Sequence, residues 1–491
     1  MKIFSLILLI VVLVFFTADA ADFKVNGVYT AWGQSQHAFN FNEKTYDHNY
    51  VVQMLRFNIQ GIANENLKFV TRLDLAQGWW GVDNSLRSVN RNETKEKTLG
   101  ASRLFDYKDT NYLIHVDQAY IDFSIPNTPF SMRVGRMWYG LGNRIMVDNN
   151  YDGVQIDLNE VVGKKLTFSW AKVSEGVDNL SDDKTVAADD RGFTDARDAH
   201  LVTLNFHNKA GAFSYDAYGL YYNDASTLDM NAYIPDHLQF FKTRFSSQVT
   251  ELTAFGLAAT YQAGKLKLNG EVDYLMGEDE IGNTTHGAKQ MWDINNGDLS
   301  GFNVYLNMNY AATDVLSLGA VAGIGSGDDD LTSGKGNVNK LRTSGFFYIT
   351  EVWEDSIMPD EEGITPQGLG APNVRGYREL ENTTIFQVNA TVKPIEKLTG
   401  FLSYNYIRAT QPIHGWGLNE SGDTVIDPDV SSSDIGQEVD FRLSYQMFKE
   451  LDFTLRGGYF IPGDAAGYLI LGHTKYDDPA WELKSTITYK F

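Results

Sequence analysis

The chain closes on "WELKSTITYKF", Trp481–Phe491. Trp481, Leu483, Ser485, Ile487, Tyr489 and Phe491 are apolar or small, and Glu482, Lys484, Thr486, Thr488 and Lys490 between them are polar or charged. A strict period of two is a β-strand with unlike faces. What each face meets decides the fold. The same period recurs upstream. "KLKLNGEVDYLM" sets Leu266, Leu268, Val272, Tyr274 and Met276 against Lys267, Asn269, Glu271 and Asp273. "GFNVYLNMNY" sets Phe302, Val304, Leu306, Met308 and Tyr310 against Asn303, Tyr305, Asn307 and Asn309. "EVDFRLSYQM" sets Val439, Phe441, Leu443, Tyr445 and Met447 against Asp440, Arg442, Ser444 and Gln446.

These runs predict strands of roughly 10 to 13 residues, whereas strands of soluble sheets cluster near 5–6. A strand tilted across a bilayer needs about 9–11. The mean hydropathy of -0.28 fits a membrane barrel, since half of each strand faces water. The N-terminus, "MKIFSLILLIVVLVFFTADA", has a charged start at Lys2, an apolar run from Ile3 to Phe16, and Ala18 and Ala20 in small-x-small spacing. It reads as a signal peptide over 1–20, too short in its apolar run to span a membrane. The 21–491 remainder has no linker composition and reads as one domain. There is no cysteine, which excludes disulfides and zinc–thiolate sites. A net charge of -22 argues against nucleic acid as a partner.

Turn signals and polar stretches alternate. Short turns are expected near 64–66, 126–128, 160–164, 208–211, 262–264, 312–314, 394–397 and 449–450. Long loops are expected near 33–50, 79–110, 139–150, 176–197, 223–248, 277–299, 326–381, 409–435 and 463–479. Eight turns and nine loops join 18 strands, with both termini on the turn side. That asymmetry belongs to all-β, transmembrane, antiparallel up-and-down barrels of the bacterial outer membrane, with short periplasmic turns and long extracellular loops. In lipid every backbone polar group needs an internal partner, and a closed sheet supplies one without an edge. The apolar face then meets hydrocarbon and the charged face meets a water-filled lumen. Trp79, Trp80, Trp138, Tyr139, Tyr221, Tyr222, Tyr459, Phe460, Tyr489 and Phe491 are expected in the interfacial aromatic belts.

No metal-ligand spacing, nucleophile elbow or phosphate loop is present, so neither an enzyme nor a cofactor is expected. Strand phase places Arg56, Lys68, Arg72, Arg133, Lys267, Arg442, Arg456, Lys484 and Lys490 inward. Asp74, Asp157, Asp216, Glu271, Asp273, Asp440, Asp452 and Glu482 share that face. Two readings stand: a basic track for anionic solutes, or a cross-strand network of Arg–carboxylate pairs bracing the wall. Acidic loop runs, Asp328, Asp329 and Asp330 among them, are weak Ca²⁺ candidates beside the simpler reading of solvated loop tips. The segment "SGFFYITEVW", Ser344–Trp353, looks like a strand but would make the count odd, so it is assigned to the long 326–381 loop. There it is either a constriction folded into the lumen or an extracellular hairpin.

One stretch goes beyond pattern. "DQAYIDFSIPNTPFSMRVGRMWYGLGNRIMVDNNYDGVQIDL", Asp117–Leu158, combines Gln118-Ala119-Tyr120, Gly135-Arg136, Tyr139-Gly140-x-Gly142 and Asp152-Gly153-Val154. In these parts it resembles the outer-membrane alginate export porin family, as does "YFIPGDAAG" at Tyr459–Gly467. The resemblance implies an 18-stranded barrel passing an anionic polysaccharide or small solutes, with Arg136 and Arg144 as matched basic positions. It departs at Leu141, where the family usually has an acid. A terminal strand ending in Phe491 likewise resembles those read by the outer-membrane assembly machinery. Outer-membrane lipid, lipopolysaccharide and a small hydrophilic solute are the expected partners. The alternative is a closed barrel serving as an enzyme, an adhesin or a sheath for a partner protein.

Overall fold

The computed structural model describes residues 22–44, 47–80, 114–159, 163–174, 198–224, 245, 249–279, 297–328, 339, 343–344, 347–354, 380–418, 420 and 424–491. The expected signal peptide, Asp329 and Asp330 lie outside these residues. Eighteen strands run in chain order: β1 (Asp22–His37), β2 (Asp47–Asn64), β3 (Leu67–Trp79), β4 (Ile114–Ser124), β5 (Phe130–Gly140) and β6 (Asp148–Leu158). Then come β7 (Lys164–Ser174), β8 (Ala199–Ala210), β9 (Phe213–Asp224), β10 (Val249–Ala263), β11 (Leu266–Asp279) and β12 (Gly297–Ala311). The last six are β13 (Leu316–Gly325), β14 (Thr383–Ile395), β15 (Leu398–Leu418), β16 (Thr424–Phe448), β17 (Leu451–Pro462) and β18 (Ala480–Lys490). Each pairs antiparallel with its neighbours in sequence, and β1 pairs with β18, so the sheet is a closed barrel with no free edge.

Alternation sets the faces. On β12, Phe302, Val304, Leu306, Met308 and Tyr310 are exposed on the outer surface while Asn303 is fully buried inside. On β11, Val272, Tyr274 and Met276 point out and Glu271 and Asp273 point in. Seven of the expected short turns lie among the described residues and fall between consecutive strands as the turn residues predict, and residues 160–162 of the eighth lie outside them. At two of them, Gly211 and Gly264 carry φ of 60° and 55°, a left-handed backbone that glycine adopts without steric cost.

The seam between first and last strands is sealed on the outer face. Phe491 N–H donates to Gly27 O at 3.0 Å and Gly27 N–H donates to Phe491 O at 2.8 Å. The Phe491 ring occupies the space a Cβ on Gly27 would take, stacks on Tyr489 at 5.5 Å and meets the Phe57 ring edge-on at 5.7 Å.

The structure departs from the sequence reading in two of the expected loops and agrees with it on the assignment of Ser344–Trp353 to a loop. The expected 409–435 loop is largely strand: β15 and β16 run to 21 and 25 residues and continue as a hairpin past the barrel rim. The extension is covered on one side by the 463–479 connection, against which Ile413 and Trp416 pack, so its side-chain pattern no longer follows lipid and lumen while backbone pairing persists. The 463–479 connection contains a helix, α1 (Asp464–Leu471), packed on β15 and β16. Gly472, φ 78°, ends it, and its N–H donates to Tyr468 O. Among the described residues of Ser344–Trp353 there is no strand. Ser344 makes a single parallel bridge to Val147, and residues 347–354 pack against side chains of the inner wall.

Candidate functional site: the lumen wall and its in-folded loops

The inner wall changes character along its height. Toward the turn end it carries charge in pairs. Arg56 Nε donates to Asp74 at 2.6 Å and also contacts Asp117 at 3.4 Å. Arg72 binds the same Asp117, which a bulge between Arg72 and Leu73 turns inward. Arg133 and Lys165 both hold Asp157, at 3.3 and 3.1 Å. Lys68–Asp122 and Lys490–Asp452 are ion pairs of 3.1 and 2.7 Å. Lys267 faces inward in register with Gln262 and Asn309. This part of the wall carries a bracing network: the pairs join neighbouring strands, and Arg56–Asp117 reaches across β3 from β2 to β4, which fixes side chains and cancels charge.

Toward the loop end the inner face is apolar. Met137, Tyr139, Tyr151, Leu201, Tyr222 and Phe460 are buried there, not in lipid-facing belts. The expected belt assignment of Tyr139, Tyr222 and Phe460 is corrected accordingly. In "WY", "YY" and "YF" only the first aromatic of each pair, Trp138, Tyr221 or Tyr459, is outside and exposed. Successive residues of a strand cannot share a face.

Two loops fold onto this surface. The 141–147 connection crosses the lumen, and Asn143 N–H donates to the Glu271 carboxylate of β11. Asn143 Oδ1 accepts from Asn269 Nδ2 at 2.9 Å. Gly142, φ 53°, lies against the same carboxylate, where any Cβ would collide. The second segment, 343–354, meets the first at Ser344. Ser344 N–H donates to Met146 O and Asp148 N–H to Ser344 O, both at 2.9 Å. The hydroxyls of Ser344 and Tyr151 are 2.6 Å apart. Farther on, the fully buried Glu438 of β16 accepts N–H bonds from Val352 at 2.6 Å and Trp353 at 2.9 Å. Trp353 stacks on Phe460 at 5.1 Å. Glu354 folds back to accept from Ile349 and Thr350 N–H at 2.7 and 3.1 Å.

The two docking carboxylates share a sequence context. Glu271-Val272-Asp273 and Glu438-Val439-Asp440 are the same tripeptide on different strands, valine outward and both acids inward. In each, the glutamate grips loop backbone and the aspartate is held by side chains. Asp273 accepts from Tyr218 and from Asn303 at 2.7 Å, and Asp440 accepts from Asn405 at 2.7 Å. Strand phase identified Glu271, Asp273 and Asp440 as inward but did not single out Glu438; that the glutamates hold loops rather than face water was not readable from it.

Beside the second clamp lies a row of bases. Arg442, Arg456 and Lys484 are directly in register on β16, β17 and β18. Lys484 contacts Glu482 at 3.0 Å, and Glu482 accepts from Gln34 and Gln36 at 2.6 and 2.8 Å. The two arginines meet Glu351 of the in-folded segment: Arg442 Nη2 donates to Oε1, and Arg456 Nη1 sits 3.0 Å from Oε2. Against Arg442 opens a cleft of about 320 Å³, lined by Asn307, Asn309, Gln387, Asn389 and Thr391 on the wall and by Phe347 and Tyr348 on the loop.

The positions carried over by resemblance fall elsewhere. Arg136 shares its face with Val134 and Trp138, both exposed outside, and pairs with Asp152 at 3.5 Å. Arg144, φ 71°, stands at the rim over the Trp138 ring at 5.0 Å. Neither belongs to the inner row. Arg136 is three residues from the inward Arg133, so parity alone puts it outside. Asp328 is buried at the start of the long loop, and the described residues contain no cluster of three or more His, Cys, Asp or Glu suited to a metal.

Comparison with known proteins agrees with this architecture. Similar solved structures include Acinetobacter baumannii OccAB2, with 9% identity, a TM-score of 0.52 and 96% of this chain aligned to 98% of that one. Pseudomonas aeruginosa OccK8 (OprE) matches with 12% identity and a TM-score of 0.50 over 96% and 98%. Pseudomonas aeruginosa OpdO gives 11%, 0.50, 96% and 97%. At such identities the likeness is one of fold. The fold is the 18-stranded barrel of these outer-membrane proteins. The family model described as alginate export matches residues 372–468, from ahead of β14 into α1, and the chain is similar to that family over this span. That span holds Tyr459–Gly467 but not Asp117–Leu158. No curated protein matches the chain.

Proposed function

We propose that this barrel is a diffusion channel for small hydrophilic anionic solutes, in the class of sugar acids or the polysaccharides they form. The observation that carries the reading is the row Arg442–Arg456–Lys484, three cations side by side on the inner wall next to a polar cleft. Arg442 and Arg456 lie within the alginate-export-like segment, which supports an anionic cargo. Selection acts through lumen width at the two in-folded loops and through charge at this row, with no covalent step. The outward apolar side chains meet lipid, and the Phe491 strand is the element offered to the assembly machinery.

Planar-bilayer recording tests the reading. The protein should conduct in steps, and its reversal potential in a KCl gradient should favour chloride. R442Q/R456Q should remove that preference, whereas R136E should leave it unchanged because that side chain lies on the outer face with Val134 and Trp138. A barrel that never conducts would instead fit a closed enzyme, adhesin or sheath, a reading the apolar packing of Trp353, Phe460 and Met137 at the loop end also accommodates.

A further inference from the structure

The geometry points to Glu351 as a tethered carboxylate that occupies a carboxylate-binding position formed by Arg442 and Arg456, so that an incoming solute carboxylate binds there only by displacing it. This rests on the channel reading for its purpose but not for its test.

Three observations carry the inference. Glu351 accepts a charge-assisted hydrogen bond from Arg442 at one oxygen and sets the other 3.0 Å from Arg456 Nη1, so its carboxylate stands between two guanidinium groups. Its side chain is 7% exposed, while the Arg442 side chain is 46% exposed, so one arginine stays open to the lumen beside its tethered partner. The cleft of about 320 Å³ is lined by both Glu351 and Arg442, so a solute in it lies alongside the carboxylate it must replace.

The loop does not need Glu351 to stay in place. Its backbone is gripped by Glu438 at Val352 and Trp353, its turn is closed by Glu354, and its indole is stacked on Phe460. The ion pair is therefore separable from the docking. Its effect is on occupancy: a group held at its site competes as if at high local concentration and weakens every free ligand of the same class. The amides of Asn307, Asn309, Gln387 and Asn389 would meet the remainder of the solute, which makes hydroxylated carboxylates the fitting class.

The test is calorimetric titration of the full-length protein in detergent with gluconate, and with sorbitol as the uncharged control. E351Q should bind gluconate about tenfold more tightly than the parent, with sorbitol unchanged. E351Q/R442Q/R456Q should lose the gain. A V352C background reports loop position by thiol labelling, the natural chain having no cysteine. Labelling should be equal with and without E351Q. Unchanged gluconate affinity in E351Q overturns the inference. So does a gain that survives loss of both arginines, or faster labelling in E351Q, which would make Glu351 an anchor. Conductance is read separately: a barrel that binds gluconate as expected but never conducts refutes the channel and leaves the tethered carboxylate standing.

Discussion

Glu438→Gln is the sharpest perturbation of the in-folded segment. Glu438 is fully buried, and both its oxygens accept backbone N–H bonds from adjacent residues, Val352 and Trp353. Glutamine keeps one acceptor oxygen. Its amide turns a donor toward the second N–H, so one of the two bonds is lost. Leaving a buried N–H unmet costs about 1–3 kcal/mol, and undocking should become easier by that amount. At about 1.4 kcal/mol per tenfold, this raises the undocked fraction roughly 5- to 150-fold. The reporter is Val352→Cys, a buried position in a chain that has no other cysteine. When opening and closing are fast relative to the reaction, labelling by a water-soluble thiol reagent follows the undocked fraction. V352C/E438Q should label roughly 5- to 150-fold faster than V352C, with barrel integrity checked by retained heat-modifiable mobility. A rise below threefold would refute the clamp, because the bonds to Glu438 would then contribute almost nothing to holding the loop.

Other consequences are equally open to measurement. Ser344→Ala removes side-chain bonds to Tyr151 and Asn149 but keeps the backbone bonds to Met146 and Asp148. It should therefore cost only about 1–2 kcal/mol of docking, read as a smaller labelling increase than E438Q gives. Gly135→Ala forces a side chain at φ 127° into the Ala119 carbonyl, so the urea midpoint in lipid should fall, by about 1–3 kcal/mol once converted with the measured slope. Gly27→Val displaces the Phe491 ring from the seam, and the yield of barrel in the outer membrane should drop while total expression holds. Deleting Ser344–Glu354 should enlarge single-channel conductance, and an unchanged value would show that the segment does not narrow the path.

The architecture was legible because it is periodic. Strand length, alternation and the unequal connections are repeated many times, so local errors do not change the count of 18. The site was legible only in part. Parity placed Arg442, Arg456, Lys484, Glu271 and Asp440 inside, since charge on alternate residues has one tolerable face in lipid. It was uninformative for Tyr139, Tyr222 and Phe460, because two adjacent aromatics satisfy either phase. Resemblance brought in Arg136 and Arg144 by identity without their direction, and direction is what separates a wall residue from an outer one. Loop docking was hidden for another reason: Glu438 and Glu271 bind backbone N–H groups, and a backbone N–H leaves no mark in a sequence.

The closing pair of strands is fastened three ways. Phe491 caps Gly27 outside, Glu482 takes Gln34 and Gln36 inside, and Phe41 leans on Phe460 while its carbonyl accepts from Asp478 N–H above. Among the described residues ten pairs join β1 to β18, fewer than the sixteen between β1 and β2 but more than the six shared by β4 and β5, the shortest ladder in the barrel. A cylinder whose two ends are pinned from both sides should tear instead along its flank. Heat or traction would part β4 from β5 first, and the junction of the two termini would outlast it.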